Sequence, residues 1–526
     1  MKPAAKKTVA RLTAHPWPAA LLSGLMLTAC FPKAGIAWLA WVALVPLLFA
    51  IRPVSGRKRF LLGFAAGCAH YLSLIYWLVP TLRTYGELPL VAAVLLFLLL
   101  SMYLALYVGF FTFIMTGIDS RRGRFVSAAP VVWVGLEYLR SFLLSGFPWE
   151  LLGYSQYDVL PLIQIADITG VYGVSFIIVL VNGLIFYLLS WALSRSKNNC
   201  PPNGRRVAYA AAVVLLVTAA VWGYGKYRLA VVDQSLRGDV QTRRISVVQG
   251  NIDQNKKWEI AFKQATVEKY LALCRRAGKD SPDLLVLPET AMPFFFRYEK
   301  ALTEKILAQA DEMGVYILTG APSFEKHDVG FEFYNSAYLV GPDGKIVDRY
   351  DKIHLVPFGE YIPMGQWFPF VEKIVFGAGD FSAGTEGRLV GMGQWDLGVQ
   401  ICFEIIFPSS ARLMTKNGAS VIVNITNDAW YGRTSAPYQH LSMTVFRAVE
   451  NRRALVRSAN TGISGYVDPA GRIVAKTPLF TEAVLTLQVP ECRLSTIYTL
   501  MGEGFAMFCL AALVFVLWRW YGYNAG

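Results

Sequence analysis

Long apolar runs constrain this chain more than any other feature of its sequence. Crossing a bilayer core about 30 Å thick takes roughly 20 apolar residues in a helix. Seven such runs precede residue 228 and an eighth lies near the end, at 16–32, 35–51, 60–82, 89–117, 126–144, 170–193, 207–225 and 504–521. Residues 229–500 are polar instead and alternate short β-like runs with helical ones. The sequence predicts a membrane domain at 1–228 with about seven transmembrane helices, an inserted domain at 229–500 and a transmembrane helix within 501–526.

Composition supports a membrane protein and argues against nucleic-acid binding. The chain of 526 residues is 55% hydrophobic and only 16% charged, which is outside the usual range of soluble proteins. Its net charge of +14 is not gathered into one basic stripe with interleaved aromatic residues. We therefore expect a lipid bilayer, and no nucleic acid, among its partners.

The distribution of Lys and Arg predicts the orientation in the membrane. Short loops that are rich in these residues stay in the cytoplasm. The basic residues cluster before run one and after runs two, four and six, at Lys2, Lys6, Lys7, Arg11, Arg52, Arg57, Lys58, Arg59, Arg121, Arg122, Arg124, Arg195, Lys197, Arg205 and Arg206. The opposite loops hold little more than Lys33 and Arg83. With the N-terminus inside, seven crossings place the 229–500 domain outside the cytoplasm.

The cysteines form neither a disulfide framework nor a metal motif. There are seven, without a Cys-x-x-Cys pair or a His-rich spacing, so we predict no metal site. The inserted domain holds Cys274, Cys402 and Cys492, and the sequence leaves open whether Cys274 and Cys492 pair. "LTAC", ending at Cys30, resembles a lipobox; an uncleaved first span is expected, and its processing stays open.

The inserted domain reads as an α/β fold. Strands are predicted at 243–251, 283–289, 314–320, 333–341, 396–404, 419–428 and 453–460, and helices near 257–277, 298–313, 408–417 and 435–452. Several strands are continuous apolar runs joined through helices, which is typical of sheets that are buried on both faces.

Three polar residues stand at or just beyond predicted strand ends, where α/β folds place their chemistry. They are Glu289, Lys352 and Cys402. Taken singly, each has an ordinary interpretation: a buried Cys acts as a small hydrophobic residue, a Glu caps the next element, and a Lys lies at the surface. Their combination favours a catalytic site.

Five motifs in order carry a resemblance to a known family. They are "VVQGNI", "VLPET", "YDKIHLVPFGEYIP", "ICFE" and "NITNDAWYG". Together with membrane spans before and after them, they resemble the apolipoprotein N-acyltransferases, bacterial enzymes with a nitrilase-like domain. The resemblance implies an αββα sandwich and a catalytic triad of Glu289, Lys352 and Cys402. Phe403 departs from the family, which often has Tyr after the nucleophile.

The chemistry of such a triad follows from its side chains. A thiol with an ordinary pKa of about 8.5 is only a few per cent thiolate at neutral pH, so a base must take its proton during attack. Glu289 is the predicted base, because a site that excludes water makes a carboxylate a better proton acceptor. Lys352 and the N–H of Phe403 are predicted to meet the oxyanion. No cofactor is expected.

The resemblance also implies the substrates. In the family, phosphatidylethanolamine is the favoured acyl donor, and the acceptor is the α-amino group of S-diacylglyceryl cysteine on an apolipoprotein. A ping-pong reaction through a Cys402 thioester is expected. The implied location is the inner membrane of a Gram-negative-type bacterium, multi-pass, with the catalytic domain facing the periplasm. A monomer is expected.

Further residues are predicted to support the site or to admit lipid. Glu360 and Glu404 match supporting carboxylates of the family, and Trp258, Trp430 and Tyr431 match aromatic residues around its pocket. The apolar stretch 361–381 contains Tyr361, Trp367 and Phe368 and is predicted to act as a lipid entrance, with folding back onto the core as the alternative.

Two other functions remain open at this point. A membrane-tethered nitrilase-type amidase would use the same triad on a small, water-borne substrate. A binding or transport protein would carry an outer domain that only holds a ligand. An intact triad favours catalysis over the second alternative.

Overall fold

The computed structural model describes residues 13–115, 123–195, 203–237, 240–254, 257, 260–328, 330–357, 359–361 and 381–525. The chain divides into two units. The helical unit comprises Met1–Val79, Leu90–Arg228 and Glu503–Gly526, and the sheet unit comprises Pro80–Pro89 and Leu229–Gly502. The short segment 80–89 is therefore grouped with the sheet unit, although it lies between two apolar runs in the sequence.

Apolar helices account for most of the first 235 residues. They are α1 Pro16–Ala29, α2 Val45–Ile51, α3 Gly56–Leu74, α4 Leu78–Thr84, α5 Leu90–Ile114, α6 Arg124–Arg140, α7 Leu160–Ile163, α8 Ala166–Thr169, α9 Val171–Arg195 and α10 Gly204–Ser235. Short 3₁₀ turns lie at Ala37–Trp41, Leu143–Ser145 and Leu152–Gln156. Large apolar side chains on these helices are exposed, among them Leu99, Leu215 and Leu216. Such an exposed apolar surface is typical of contact with lipid.

Two predicted spans are not single helices. Run 60–82 is broken between α3 and α4, which are bent by 50°. Run 35–51 consists of a 3₁₀ turn and the seven-residue α2, which has Pro46 in its first turn. Among the described residues, three helices are long and apolar enough to cross a membrane, or four if the bent pair is one span. The predicted number of about eight spans is therefore not confirmed.

Twelve strands lie in the described part of the sheet unit. They are β1 Thr242–Gln249, β2 Leu284–Val286, β3 Tyr316–His327, β4 Gly330–Val340, β5 Ile346–Asp351, β6 Val390–Met392, β7 Trp395–Ile401, β8 Val421–Thr426, β9 Ala454–Ala459, β10 Gly465–Val467, β11 Ile473–Lys476 and β12 Ala483–Pro490. All seven predicted strands are present, and β5, β6, β10, β11 and β12 were not predicted. The helices are α11 Ile260–Gly278, α12 Lys300–Met313, α13 Pro408–Lys416, α14 Ala436–Asn451 and α15 Ile497–Met501, followed by α16 Gly504–Ala525 in the helical unit.

The strands form two six-stranded sheets, ordered β12-β1-β2-β3-β4-β5 and β11-β10-β9-β8-β7-β6. The central pairs β1–β2, β2–β3, β7–β8 and β8–β9 are parallel, and the outer pairs are antiparallel. One buried core joins side chains of both sheets, including Val247, Val286, Val399 and Val423. A second core packs α11 and α12 against the first sheet. This arrangement is the predicted αββα sandwich.

Candidate active site

Cys402 lies at a strained turn directly after β7. Its backbone φ is +54°, in the left-handed region that residues with a Cβ rarely adopt. A 3₁₀ turn, Cys402–Ile406, leads from the strand to α13. Such strain persists only where surrounding structure enforces it, and it is commonest at functional sites. The turn projects the thiol from the strand end, while the side chain stays 7% exposed.

Glu289 stands on a second tight turn, three residues after β2. The next residue, Thr290, has a φ of +47°. Gly320 of β3 allows this turn to approach, because a Cβ at that position would lie 2.4 Å from the Thr290 nitrogen and 2.7 Å from the Glu289 Cα. The neighbouring parallel strand therefore sets where the carboxylate can be. Lys352 follows β5 directly, so all three predicted triad residues follow strands.

A buried hydrogen-bond network joins Lys352 to two carboxylates. The Lys352 Nζ donates to Glu360 Oε1 at 2.8 Å and lies 3.8 Å from Glu289 Oε1. The Asn335 Nδ2 donates to both carboxylates, at 2.8 Å to Glu289 and 2.9 Å to Glu360. The backbone N–H of Asn427 donates to Glu289 Oε2 at 2.9 Å. Because each carboxylate oxygen has a partner, the network holds the Glu289 side chain in one position.

The electrostatics of the site keep the amine charged and the thiol neutral. Burial lowers the pKa of Lys352, but the carboxylates of Glu360 and Glu289 outweigh it and raise that pKa above its ordinary value. Burial raises the pKa of the Cys402 thiol, Glu289 raises it further, and Lys352 opposes them. The resting site therefore holds an ammonium group beside a protonated thiol, and a thiol in this state needs a base before it can act as a nucleophile.

Glu404 connects the turn at Cys402 to the loop that begins at Lys352. It is fully buried, and its carboxylate accepts hydrogen bonds from the backbone N–H groups of Ile401, Ile353 and His354 at 2.6, 2.7 and 3.1 Å. Burial raises the pKa of Glu404 to about 7, although these N–H groups oppose the shift. Because it contacts the residues next to both Cys402 and Lys352, Glu404 sets the spacing between them.

Three residues of the network were not predicted from the sequence. Asn335 is a polar residue within strand β4, and Asn427 directly follows β8. A polar residue at either position could have indicated a site, but neither was predicted. Lys257 carried none, because a lysine in a polar stretch is normally solvated. Its Nζ is buried and donates to Thr290 Oγ1 at 2.6 Å and to the Glu289 carbonyl at 3.4 Å. Lys257 thus supports the turn that carries Glu289.

A second buried network contacts the backbone at Cys402. Asn424 of β8 donates its Nδ2 to the Cys402 carbonyl at 3.4 Å. Arg457 of β9 donates to the Asn424 side chain and forms an ion pair of 2.8 Å with Asp428. Burial raises the pKa of Asp428, but Arg457 and His440 outweigh it and lower that pKa well below its usual range. The strained turn at Cys402 is therefore supported by buried charged side chains as well as by apolar ones.

The remaining predicted site residues fall into two groups. Phe403, Tyr361, Trp430 and Tyr431 are described: Phe403 is buried against Phe407, and the other three are partly exposed. Trp258, Trp367 and Phe368 lie outside the described residues, as does most of the predicted entrance.

Cys274 and Cys492 are both free thiols. Across the described ranges there is no group of three or more His, Cys, Asp or Glu residues that could hold a metal ion.

Segment 80–89 contacts the loop that carries Trp430. Thr81 Oγ1 donates to the Trp430 carbonyl and Tyr85 OH to the Ala429 carbonyl, both at 2.9 Å. The Tyr85 and Trp430 rings meet edge to face, with their centroids 5.0 Å apart. A segment between two apolar runs therefore helps to shape this loop.

Both parts of the chain match families of known proteins. Residues 23–184 match the family model for the apolipoprotein N-acyltransferase N-terminal domain, and residues 244–497 match the model for carbon-nitrogen hydrolase. The apolipoprotein N-acyltransferase of Geobacter metallireducens is 45% identical over 94% of both chains. That of Methylococcus capsulatus is 32% identical, again over 94% of both chains. The solved structure of Saccharomyces cerevisiae Nit3, a nitrilase-superfamily member, is 20% identical, covers 50% of this chain and 94% of its own, and has a TM-score of 0.37.

Proposed function

This chain belongs to the apolipoprotein N-acyltransferase family, and from that membership we propose a reaction for the site of Glu289, Lys352 and Cys402. The enzyme is an inner-membrane acyltransferase that N-acylates apolipoproteins. The donor is proposed to be a phospholipid resembling phosphatidylethanolamine. The acceptor is proposed to be the α-amino group of S-diacylglyceryl cysteine at the N-terminus of the apolipoprotein.

In the first half-reaction the Cys402 sulfur attacks the ester carbonyl of the phospholipid. A C–S bond forms while Glu289 takes the thiol proton, and the carbonyl oxygen becomes an oxyanion. Lys352 and the N–H of Phe403 stabilise this charge. The ester C–O bond then breaks, and Glu289 returns the proton to the leaving lysophospholipid oxygen. The acyl chain remains as a Cys402 thioester.

In the second half-reaction the acceptor amine attacks the thioester. A C–N bond forms, Glu289 accepts the amine proton, and the same donors hold the second oxyanion. The C–S bond breaks and the thiol regains its proton from Glu289. One base thus serves both steps, as a ping-pong sequence requires.

The observation that carries this proposal is the position of Lys352 between two carboxylates next to a neutral thiol. Glu360 accepts the short hydrogen bond from Lys352, and Asn335 bridges Glu360 to Glu289. Lys352 therefore keeps its proton and serves as an oxyanion donor, while Glu289 remains available as the base. The proposed roles of Glu360 and Glu404 are to position Lys352 and the nucleophile turn.

Access to the site is a separate part of the proposal. Tyr361, Trp430 and Tyr431, together with Trp258, Trp367 and Phe368, are proposed to line or gate the lipid entrance. The catalytic unit is proposed to face the periplasm and the enzyme to act as a monomer. The division into domains at 1–228, 229–500 and 501–526 also stays a prediction.

Intact mass spectrometry of the protein purified from its membrane tests the reaction. We expect an added mass equal to a fatty acyl group, located on Cys402 and removed by hydroxylamine. Glu289→Gln should leave Cys402 unacylated, because a neutral amide cannot accept the thiol proton. Rapid acylation of that variant would show that another group is the base.

A second measurement separates acyl transfer from hydrolysis. Adding a diacylated lipopeptide to the acylated enzyme should release the free thiol and yield an N-acylated peptide. Release to water at the same rate with and without the peptide would favour an amidase-type hydrolase. A protein that never carries an acyl group would favour a binding role.

A further inference from the structure

Thr426 lies beside the proposed nucleophile, and the reaction described above does not use it. It is the last residue of β8 and is fully buried. Ile425 pairs with Ile401 of β7, so Thr426 and Cys402 are the next residues on two adjacent parallel strands. Two residues earlier, on the same face of β8, Asn424 donates to the Cys402 carbonyl. The Thr426 side chain therefore faces the turn at Cys402, and its hydroxyl forms a hydrogen bond with the thiol.

The other partner of the Thr426 hydroxyl fixes where its hydrogen points at rest. Thr426 Oγ1 donates to Asp428 Oδ1 at 3.0 Å. Burial raises the pKa of Asp428, but Arg457 and His440 outweigh it and keep the carboxylate ionised, so that it can only accept hydrogen bonds. A hydroxyl has a single hydrogen. With that hydrogen on Asp428, Thr426 accepts the hydrogen of the neutral thiol.

This arrangement changes when the thiol loses its proton. A thiolate has no hydrogen to donate and is stabilised by donors. Asp428 keeps its ion pair of 2.8 Å with Arg457 and its contact of 3.1 Å with His440 when the Thr426 hydrogen turns away. Rotation about the Cβ–Oγ1 bond can therefore move the hydrogen from Asp428 to the sulfur without leaving a buried carboxylate unsatisfied.

We propose that Thr426 is a further catalytic residue, whose hydroxyl accepts from the neutral thiol of Cys402 at rest and donates to the thiolate during attack. The thiol proton itself passes to Glu289, and no covalent bond of Thr426 forms or breaks. The inference rests on the proposed function, because it takes Cys402 as the nucleophile.

The surroundings of the sulfur make such a donor valuable. Burial raises the pKa of the thiol and the nearby carboxylates raise it further, whereas the ammonium group of Lys352 and the hydrogen bond of Thr426 oppose them. A hydrogen bond to a charged group is stronger than one between neutral groups, so loss of the hydroxyl should reduce the thiolate fraction by about tenfold. The charged or titratable groups around the sulfur are Glu289, Lys352, Asp428 and Tyr431.

Alkylation of Cys402 by iodoacetamide tests this role in the full-length protein. Hydroxylamine first removes any acyl group, and the reaction at Cys402 is then followed by peptide mass spectrometry across a range of pH, because the thiolate is the reacting form. We expect Thr426→Val to react about tenfold more slowly, with its rate profile displaced by about one unit to higher pH. Thr426→Ser keeps the hydroxyl and should react at nearly the original rate. Single-turnover acylation by phospholipid should follow the same order.

A matched control separates the hydroxyl of Thr426 from buried hydroxyls in general. Thr319 of β3 is also fully buried, and among the described residues its hydroxyl has no hydrogen-bond partner. Thr319→Val should therefore leave the alkylation rate unchanged. If Thr426→Val does not fold, Thr426→Ala removes the same hydroxyl without placing a methyl group beside Asp428.

Three results would overturn the proposal. Unchanged alkylation in the folded Thr426→Val or Thr426→Ala variant would show that the hydroxyl does not act on the sulfur. Equal slowing in Thr426→Ser would mean that shape matters rather than the hydroxyl, and equal slowing in Thr319→Val would mean that the effect is general. An unsubstituted protein that never carries an acyl group would instead overturn the proposed function, while the alkylation rates would still decide whether Thr426 acts on the thiol.

Discussion

At the scale of single residues, two groups of the site differ in charge at rest. The Cys402 thiol is neutral and needs a base, whereas the Lys352 amine carries a positive charge. The Cys402 thiol is buried beside Glu289, and both effects raise its pKa. Lys352 is held between carboxylates that raise its own pKa. The thiol is therefore protonated at rest and Lys352 is charged; in the proposed reaction Glu289 removes the thiol proton and Lys352 meets the oxyanion.

Cys402→Ser should insert and fold but fail to turn over. An alcohol is far less acidic than a thiol, so a carboxylate base activates it poorly. The expected result is loss of lipopeptide acylation by at least about a thousandfold, with an unchanged thermal unfolding temperature. Activity near that of the unsubstituted enzyme would contradict the assignment of the nucleophile.

Lys257 provides a prediction for the pH dependence of stability. Burial lowers its pKa to about 7 in the folded state, whereas the ordinary value is 10.5. Between these two values the unfolded chain binds the proton more tightly, so the folded state gains stability as the pH rises from 7 toward 10.5. Below pH 7 the amine is charged in both states, and the full cost of burying that charge remains.

Lys257→Met removes this titration. The unfolding temperature of the variant should rise less between pH 7 and 9.5 than that of the unsubstituted protein. Lys345→Met, at an exposed position, is the control and should retain the original rise. A parallel pH dependence in the Lys257 variant would show that this amine does not titrate in that window.

At the scale of elements, adjacent strands place the reactive groups by close backbone contact. The turn of Glu289 and Thr290 follows β2 and lies against β3 at Gly320. The Cys402 turn follows β7, and its carbonyl is bound by Asn424 of β8. These two proposed catalytic groups are therefore each positioned by the strand beside their own, which makes the site sensitive to small changes within the sheets.

Gly320→Ala should impair the first half-reaction. The new Cβ would lie 2.4 Å from the Thr290 nitrogen, closer than such contacts allow, so the Glu289 turn must move. A displacement on the order of 1 Å at a catalytic group can cost about a hundredfold in rate, and we expect acylation of Cys402 to slow by that amount.

Gly391→Ala is the matched control on β6, because its Cβ would meet nothing closer than 3.8 Å. Both rates are measured by the appearance of the acyl mass in single-turnover experiments. Equal rates in the two variants would mean that the Glu289 turn tolerates the shift.

At the scale of the whole molecule, a helical unit and a sheet unit share one chain that passes between them more than once. The sheet unit includes segment 80–89 as well as 229–502. The charge pattern of the loops predicts that the sheet unit faces the periplasm, because Lys and Arg cluster in the loops assigned to the cytoplasm.

Cysteine labelling in whole cells tests that orientation. Lys345 lies on the sheet unit with a side chain that is 79% exposed, and Arg206 begins α10 in an exposed position. In a Cys200→Ser background, Lys345→Cys should react with a membrane-impermeant maleimide once the outer membrane is permeabilised. Arg206→Cys should react only after the inner membrane is dissolved. The reverse pattern would place the sheet unit in the cytoplasm.

The sequence alone carried the fold class and predicted Glu289, Lys352 and Cys402 as the reactive residues. Mostly apolar strands such as β8 and β9 are buried on both faces, so local composition is enough to reveal them. Glu289, Lys352 and Cys402 were recognisable because each follows a strand within a distinctive motif. Strand β5 was missed because it mixes polar, partly exposed residues, which resemble a loop when no partner strand is known, and β11 because it is only four residues long.

Only the tertiary structure decided which residues hold the reactive groups in place. Asn335, Asn427 and Lys257 reach Glu289 across long stretches of sequence, and a hydrogen bond between distant residues leaves no local pattern. The break in run 60–82 and the grouping of segment 80–89 with the sheet unit likewise depend on contacts between residues far apart in the sequence. Hydropathy records whether a residue prefers water or hydrocarbon, whereas the direction of a helix and the partner of a polar side chain depend on what packs against them.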